Sequence, residues 1–189
     1  MGNSACQDPP REETIEGKKV RRWHMGVNHS IVEEHIACQF ANYLEGKDDM
    51  PFMGINVILD DDNDYIPDVS IVCDRSMIGK DGIYGAPDFV AEVLSRLSVQ
   101  NDRGPKMRHY AAAGVKEYWI VSPIGKTVEV YYNENGSFVL DAAYTIYDEL
   151  DLSRMDDDER KAIRWEIPVS LYKDFRVNIN DVFKDLIVS

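Results

Sequence analysis

Two carboxylates stand in apolar surroundings, where a carboxylate is costly to keep. Asp68 lies in the run IPDVSIV and Glu92 in the run FVAEVLS. A carboxylate in a buried strand is unfavourable unless it is paired, hydrogen-bonded or bound to a metal ion. A salt bridge to a nearby Lys or Arg would explain either one alone. Two such carboxylates on separate strands favour a functional site.

Lys106 lies in the helical run after Glu92 and shares one helix face with Asp102 and Tyr110, at spacings of four residues. Two interpretations are open for Lys106. It forms only a surface ion pair with Asp102, which would contribute little stability, or its ammonium group reaches a metal-bound water or the scissile phosphate. Tyr110 is expected in the core more than in catalysis.

His29 and Glu33 are four residues apart on the first predicted helix, beside its apolar face. They form either a local helix pair or part of a metal site, to which Glu33 would add a third carboxylate. The other histidines, His24, His35 and His109, have no partner that the sequence identifies.

Asp88 also follows a proline and competes with Asp68 for a functional role. Asp88 and Glu92 share a face of one strand, but four residues at roughly 3.3 Å each place them about 13 Å apart. They cannot chelate one ion together, whereas Asp68 on a neighbouring strand can lie beside Glu92. We therefore expect Asp88 to be a structural residue at the start of its strand.

The chemistry that suits two carboxylates and a lysine is Mg²⁺-assisted hydrolysis of a phosphodiester. Oxygen ligands hold a hard cation, the ion activates water, and lysine offsets the developing negative charge. Motifs for other mechanisms are absent from the sequence, among them GxSxG, GxxxxGK[ST], GxGxxG and HExxH. Cys73 has no evident histidine partner, so we interpret it as a buried structural thiol.

The elements that must position these residues alternate between helical and strand patterns. Periodicity predicts a helix over 27–46, strands over 52–59, 65–74 and 87–95, a helix over 101–113, a strand over 115–122, and a hairpin over 126–141. A strand, a helix and a strand in succession imply a parallel pair with a right-handed crossover. The predicted fold class is α/β, with a mixed central sheet flanked by helices.

The chain has 189 residues, 44% of them hydrophobic, and a formal net charge of −13. These values predict one folded domain over 23–189, preceded by a tail or edge segment over 1–22. No apolar run is long enough to span a membrane. The three cysteines form no CxxC pattern, so a reducing, cytoplasmic location is expected. The average charge, taken alone, argues against a nucleic-acid enzyme.

The stretch 66–123 resembles the Uma-type restriction endonuclease family of bacteria, which is placed in the PD-(D/E)XK nuclease superfamily. The family pattern is a PDV strand, a PPDLVVEVLSPST-like strand, and D-x-x-x-K-x-x-x-Y-x-x-x-GV-x-EYW-x-V-x-P. This chain matches it at Pro67-Asp68-Val69, Pro87-Asp88, Glu92-Val93-Leu94-Ser95, Asp102, Lys106, Tyr110, Gly114-Val115, Glu117-Tyr118-Trp119 and Pro123. The match covers about a third of the chain.

The resemblance implies a restriction-endonuclease-like αβββαβ core, in agreement with the element order above. It also implies that Asp68 and Glu92 coordinate a metal ion. Leu94 stands where the family's usual lysine would be, two residues after the glutamate. In similar proteins the basic residue has moved to the following helix, which makes Lys106 the candidate here. Glu33 would correspond to an acidic residue on the first helix of some superfamily members.

The favoured hypothesis is an endonuclease that depends on Mg²⁺ or Mn²⁺ and cuts DNA without a covalent intermediate. Asp68, Glu92 and the Val93 carbonyl would hold one ion. Lys106 would orient or activate the attacking water. The supporting residues would be Asp102, Tyr110, His29 and Ser95. Two departures from the family pattern, Arg96 and Ser122, remove no metal ligand.

The alternative is an inactive nuclease-fold protein that serves as a binding or assembly module. It is favoured by the acidic charge and by the missing lysine after Glu92. A homodimer is expected in either case, because cutting duplex DNA needs two sites and twofold symmetry is common. The segment 96–110 carries four basic side chains against one acidic one, a local charge of +3. We therefore expect weak, salt-sensitive and metal-dependent DNA binding.

Overall fold

The structure is a computed structural model that describes residues 11–22 and 26–187. Its elements in chain order are β1 (Glu12–Ile15), β2 (Lys18–Arg21), α1 (Val27–Leu44), β3 (Met50–Met53), β4 (Val57–Asp60), β5 (Asn63–Tyr65), β6 (Val69–Val72), a 3₁₀ turn (Arg75–Met77), β7 (Ile83–Tyr84), β8 (Phe89–Val93), α2 (Val99–Asp102), α3 (Pro105–Ala113), β9 (Glu117–Ser122), β10 (Thr127–Glu134), β11 (Ser137–Thr145), α4 (Glu149–Arg154), α5 (Asp157–Ala162), β12 (Glu166–Pro168), β13 (Arg176–Asn178) and α6 (Ile179–Val182).

A six-stranded sheet forms the centre of the fold, in the order β11-β10-β9-β8-β6-β3. Strands β8 and β9 are parallel, with α3 in the connection between them, as the strand–helix–strand pattern predicts. The other neighbouring pairs of this sheet are antiparallel. In chain order α1, β3, β6, β8, α3 and β9 form the expected αβββαβ core. The predicted mixed sheet flanked by helices is confirmed.

Side chains that alternate across β8 divide the core in two. Phe89 and Ala91 join α1 in one apolar cluster, whereas Val90 joins Tyr110 of α3 in the other. Because alternate residues of a strand share a face, Glu92 lies on the same side as Val90. Strand geometry thus directs Glu92 toward α3.

Two predicted strands are each divided between the central sheet and a second sheet, whose order is β2-β1-β5-β4-β7. The predicted strand over 52–59 is β3 and β4, separated at Gly54, whose φ is +55°. The predicted strand over 65–74 is β5 and β6, with Pro67 between them. Left-handed backbone favours glycine, and proline lacks the amide hydrogen that a central strand needs. Both predictions were therefore wrong in extent.

The predicted helix over 101–113 is two helices, α2 and α3, with a break at Gly104. Gly104 has φ −118° and ψ −110°, and Pro105 occupies the first turn of α3, where a missing amide hydrogen is tolerated. Gly114 ends α3 in the left-handed conformation, as predicted. Across the break, Asp102 at the end of α2 still lies 3.2 Å from Lys106 in the first turn of α3, the contact that their spacing of four residues predicts.

Residues 11–22 form a hairpin of β1 and β2 at the edge of the second sheet. Glu16 and Gly17 make its turn with φ angles of 51° and 74°, as a type I′ turn requires. The sequence predicts a tail or edge segment over 1–22, of which residues 1–10 lie outside the described residues.

After β11 the chain closes the fold on the side of α1, because β12, β13 and α6 add buried residues to the apolar cluster that contains α1. The acidic segment 148–162 contains α4 and α5, each of which begins with a capping box, at Asp148 and Asp156. Strands β12 and β13 pair with each other. Within the described ranges, no helix is long and apolar enough to cross a membrane.

Candidate active site

A cavity of about 130 Å³ opens where the first hairpin, the neighbouring ends of β6 and β8, and the α2–α3 break meet. Five residues singled out by sequence line it together: Asp68, Glu92, Ser95, Asp102 and Lys106. Among the other lining residues are two charged ones from the first hairpin, Glu13 and Arg22. The cavity is therefore both charged and assembled from distant parts of the chain.

The register between β6 and β8 places Asp68 and Glu92 opposite each other. Val69 pairs with Ala91 in this antiparallel pair, so the next positions outward are Asp68 and Glu92. Directly opposite residues project from the same face, with Cβ atoms about 5 Å apart. Each of the two carboxylates is only 2% exposed. The expectation that Asp68 can lie beside Glu92 agrees with this geometry.

Asp68 is engaged on both carboxylate oxygens. Oδ2 accepts a hydrogen bond of 2.6 Å from the Val93 amide, and Oδ1 is paired with Arg22. His29 Nε2 lies 3.2 Å from Oδ2. Burial alone would raise the pKa of Asp68, but His29 and Arg22 outweigh burial and lower it. Asp68 is therefore ionised at neutral pH.

Lys106 is buried among three carboxylates. Its Nζ lies 2.7 Å from Glu92 Oε1 and 3.2 Å from Asp102 Oδ1, and 3.0 Å from Glu13 Oε1. Because its side chain is only 3% exposed, the surface ion pair considered for Lys106 and Asp102 is instead part of a buried network. Tyr110 is fully buried beside it, with its hydroxyl 3.5 Å from Glu92 Oε1.

The excess of carboxylates over cations around Lys106 determines the charge states of Lys106 and Glu92. Burial opposes the charge of Lys106, but the surrounding carboxylates, Glu92 foremost, raise its pKa well above the ordinary value. Burial also raises the pKa of Glu92 well above its ordinary value, and the neighbouring Lys106 does not offset this. The ammonium group therefore stays charged, and Glu92 holds a proton more readily than an exposed glutamate.

Helix α1 presents His29 and Glu33 to Asp68. His29 Nδ1 lies 3.9 Å from Glu33 Oε2, and one ligand atom from each of the three residues lies within 4.8 Å of the others. Burial opposes the charge of His29, but Asp68 and Glu33 raise its pKa. Burial, followed by the charge of Asp68, raises the pKa of Glu33 to about 7. The two side chains are therefore more than a local helix pair.

Two further candidates have partners of their own. Asp88 accepts a hydrogen bond of 2.8 Å from the Cys73 amide and pairs with Lys116 at 2.7 Å, contacts of the kind that the expected structural role requires. Ser95 lines the cavity, but its hydroxyl is bonded to that of Ser98 at 3.0 Å.

The first hairpin supplies the two residues that sequence reasoning missed, Glu13 and Arg22. Glu13 accepts a hydrogen bond of 2.8 Å from the Ile66 amide, and Arg22 donates one of 2.6 Å to the Ile66 carbonyl. The available sequence signal was the pair Glu16-Gly17, which suits a two-residue hairpin turn between short strand-like runs.

Three of the four basic side chains in the segment 96–110 form ion pairs with acidic side chains in the folded protein. Arg103 forms two bonds to Glu129, of 2.7 and 2.8 Å, and Arg108 lies 3.3 Å from Glu16. Lys106 is enclosed in the carboxylate cluster. The local charge of +3 along the sequence therefore does not form an open basic edge, because acidic residues from other elements lie against it.

Comparison with known proteins places the chain among nuclease-like proteins. The model of the Uma2 family, described as "Putative restriction endonuclease", matches residues 4–155. An uncharacterized protein of Synechocystis sp. (strain ATCC 27184 / PCC 6803 / Kazusa), slr1290, is 30% identical over 133 residues, which cover 66% of this chain and 67% of that protein. A crystal structure described as "a putative nuclease belonging to DUF820", from Anabaena variabilis ATCC 29413, has a similar fold. It superposes with a TM-score of 0.70 at 20% identity, over 92% of this chain and 90% of that one.

Proposed function

Because the chain belongs to the Uma2 family of restriction-endonuclease-like proteins, we propose that it is a divalent-metal-dependent nuclease that hydrolyses phosphodiester bonds in DNA. The observation that carries the proposal is the shared cavity lined by Asp68, Glu92 and Lys106. The proposed ion is Mg²⁺ or Mn²⁺.

The charge balance of the site supports a bound divalent cation. Its carboxylates are Glu13, Glu33, Asp68, Glu92 and Asp102, and the cations in contact with them are Arg22, Lys106 and the titratable His29. A buried acidic surplus must be relieved by protons or by a bound cation. Carboxylate oxygens are preferred donors for Mg²⁺ and Mn²⁺, so the donor set fits either ion.

The strands and α1 would supply the ligands of this ion. Asp68 and Glu33, which have ligand atoms within 4.8 Å of each other, would bind it from the start of β6 and from α1. Glu92 is bound to Lys106 and would have to turn from it to join the same ion from the neighbouring strand. The amide and carbonyl of one strand residue point to the same side, and the Val93 amide faces Asp68. The Val93 carbonyl is therefore a reasonable fourth ligand. When bound, the ion would supply an activated water and offset negative charge in the transition state.

Lys106 would act as a fixed positive charge and not as a base. Its raised pKa keeps it protonated, so it cannot accept a proton from water at neutral pH. It can donate a hydrogen bond to the attacking water or to a phosphate oxygen. Glu13 and Asp102 would position it from either side.

A plasmid-nicking experiment with matched variants tests the proposal. Purified protein should relax supercoiled plasmid in the presence of Mn²⁺ or Mg²⁺. Asp68→Asn and Glu92→Gln should reduce the rate on the order of 100-fold or more. Asp88→Asn changes the other carboxylate that follows a proline and should leave the rate unchanged. Cleavage that survives Glu92→Gln, or no cleavage with either ion, contradicts the nuclease function.

A second candidate, an inactive binding or assembly module, is favoured by one observation. Arg22 pairs with Asp68, a proposed ion ligand, so the site is partly neutralised without an ion. Calorimetric titration of Mg²⁺ and Mn²⁺ into the unmodified protein and Asp68→Asn separates the candidates. Binding that is lost in the variant supports the metal-dependent enzyme, whereas no binding that depends on Asp68 supports the module.

We further propose that the protein works as a homodimer in the cytoplasm. Cutting both strands of a duplex needs two sites, and twofold symmetry supplies them most simply. The free thiols of Cys38 and Cys73 suit a reducing compartment. Analytical ultracentrifugation with and without DNA tests the dimer, and a monomer in both conditions would exclude it.

A further inference from the structure

His29 is a buried polar side chain beside the proposed ion site. It is 5% exposed and pairs with Asp68, but neither ring nitrogen makes a hydrogen bond of acceptable geometry to any described residue. Buried side-chain polar atoms are usually satisfied by a protein group, water or an ion. The contact of His29 with Asp68 is therefore electrostatic, and an ion bound between the two side chains would complete the contacts of the imidazole.

The neighbours of both His29 nitrogens are carboxylates. Nε2 lies 3.2 Å from Asp68 Oδ2 and Nδ1 lies 3.9 Å from Glu33 Oε2. Each of the three residues offers one ligand atom within 4.8 Å of the other two. Two ligands bound at about 2.1 Å and at right angles around one ion lie about 3 Å apart. The 3.2 Å between His29 Nε2 and Asp68 Oδ2 is of this size. Glu33 lies on the side of the other ring nitrogen, so its carboxylate would have to turn toward Nε2 to share the same ion.

We propose that His29 supplies a nitrogen ligand to the divalent ion, together with Glu33 and Asp68, and that this ligand makes the site select Mn²⁺ over Mg²⁺. The inference rests on the proposed nuclease function, whose ion it specifies. Imidazole suits transition-metal ions, whereas Mg²⁺ strongly prefers oxygen ligands and retains its waters. The position of His29 on α1, one turn before Glu33, keeps both donors on a rigid element.

Pulsed electron paramagnetic resonance of bound Mn²⁺ tests the nitrogen ligand directly. The unmodified protein loaded with Mn²⁺ alone should show spin-echo modulation from a coordinated nitrogen, and His29→Gln should lose it. His35→Gln changes another histidine of α1, whose Nδ1 faces the Val182 carbonyl, and should retain the modulation. Thermal unfolding of both variants verifies that they are folded. Modulation that persists in folded His29→Gln overturns the proposal.

Calorimetry gives a second readout that needs no catalysis. Mn²⁺ should bind the unmodified protein at least about tenfold more tightly than Mg²⁺, because only Mn²⁺ gains from the imidazole. His29→Gln should lose at least about this tenfold preference for Mn²⁺, because its ligand nitrogen is removed, and should change Mg²⁺ affinity much less. Equal affinity of the unmodified protein for the two ions overturns the proposal.

The outcomes also separate this inference from the nuclease function. Cleavage that depends on Glu92 but occurs without a nitrogen signal overturns the role of His29 and leaves the nuclease intact. A nitrogen signal from His29 without cleavage supports the ligand and overturns the nuclease.

Discussion

Two adjacent charge clusters meet at the cavity, and in each cluster a charged side chain lies against a partner of opposite charge. Asp68 is held by Arg22 in one cluster, and Lys106 is held by Glu92 in the other. Removing one member of a buried pair leaves its partner uncompensated, and this costs more than the pair contributes as a whole. We therefore expect substitution of Lys106 to lower the stability of the fold and substitution of Arg22 to strengthen ion binding.

Lys106→Met should destabilise the fold because it leaves three carboxylates without their cation. Breaking a buried pair costs about 3–5 kcal/mol. The folded pKa of Lys106 is raised, so its contribution is complete below the unfolded value of 10.5 and is lost only as pH rises through the folded value. Lys106 is charged at both pH 8 and pH 5, so a difference between them must come from the carboxylates. The loss of unfolding free energy caused by Lys106→Met should be large at pH 8 and smaller at pH 5, where the uncompensated carboxylates can take up protons.

Urea unfolding at the two pH values measures this penalty. Lys116→Met is the matched control, because Lys116 is 62% exposed and its loss should cost less than about 1 kcal/mol. A penalty for Lys106→Met that is independent of pH would contradict the carboxylate cluster as its cause.

Arg22→Gln should strengthen the binding of divalent ions. The guanidinium group competes with an ion for Asp68, so its removal should lower the dissociation constant for Mn²⁺ roughly tenfold, or about 1.4 kcal/mol. Lys18→Gln removes an exposed charge from the same hairpin and serves as the control in calorimetry. Weaker ion binding in Arg22→Gln would show that Arg22 supports the ion site and does not compete with it.

At the scale of elements, three connections build the site: the first hairpin, the register between β6 and β8, and the break between α2 and α3. The first contributes Glu13 and Arg22, and the second sets the two strand carboxylates side by side. The third lets two consecutive helices present Asp102 and Lys106 to each other. The α2–α3 break is the connection that a single substitution tests most directly.

Gly104→Ala should distort the break, because a Cβ atom there would lie 2.5 Å from the Gln100 carbonyl oxygen. Backbone must shift to relieve this contact, so we expect a loss of about 1–3 kcal/mol in the free energy of unfolding. Ion affinity should fall as well, because Lys106 moves relative to Glu92. Gly26→Ala is the control, since that site has φ −69° and no atom within 4 Å. Equal stability of the two variants would rule out the steric argument.

Sequence alone predicts the parts of this site that depend on local pattern. The apolar run around Glu92 and the Gly114 stop define β8 and α3, and the buried carboxylates follow from their neighbours. Sequence does not reveal the contact of Glu13 with Lys106, because that contact exists only after two separate sheets have assembled. For the same reason sequence does not predict that the chain passes from one sheet to the other at Gly54. A continuous apolar run has the same pattern whether it forms one strand or two strands in different sheets.

For the molecule as a whole, the net charge of −13 sets how DNA can approach. The pairs of Arg103 with Glu129 and Arg108 with Glu16 remove positive charge that the local sequence suggested. Under the proposed function, phosphate binding would then depend on ions held in the cavity more than on surface lysine and arginine. DNA binding should therefore be coupled to divalent ions.

DNA affinity should be weaker than about micromolar at physiological salt without a divalent ion, and it should rise when Ca²⁺, which also takes oxygen ligands, is added. Fluorescence anisotropy with a labelled duplex at several salt concentrations measures both effects. Affinity should also fall as salt rises, because screening weakens the contacts with phosphate. Tight binding in the presence of a chelator would be incompatible with this view of the charge distribution.

The contact between Glu13 and Lys106 joins residues 93 positions apart in the chain, and this separation bears on when the cavity is first complete. Closing so long a loop costs entropy and slows folding relative to local contacts. During synthesis, the first hairpin leaves the ribosome well before its lysine partner has been added. A nascent chain that stops short of α3 carries Asp68 and Glu92 but cannot assemble the pocket. The order of translation thus delays the charged cavity until α3 has been made.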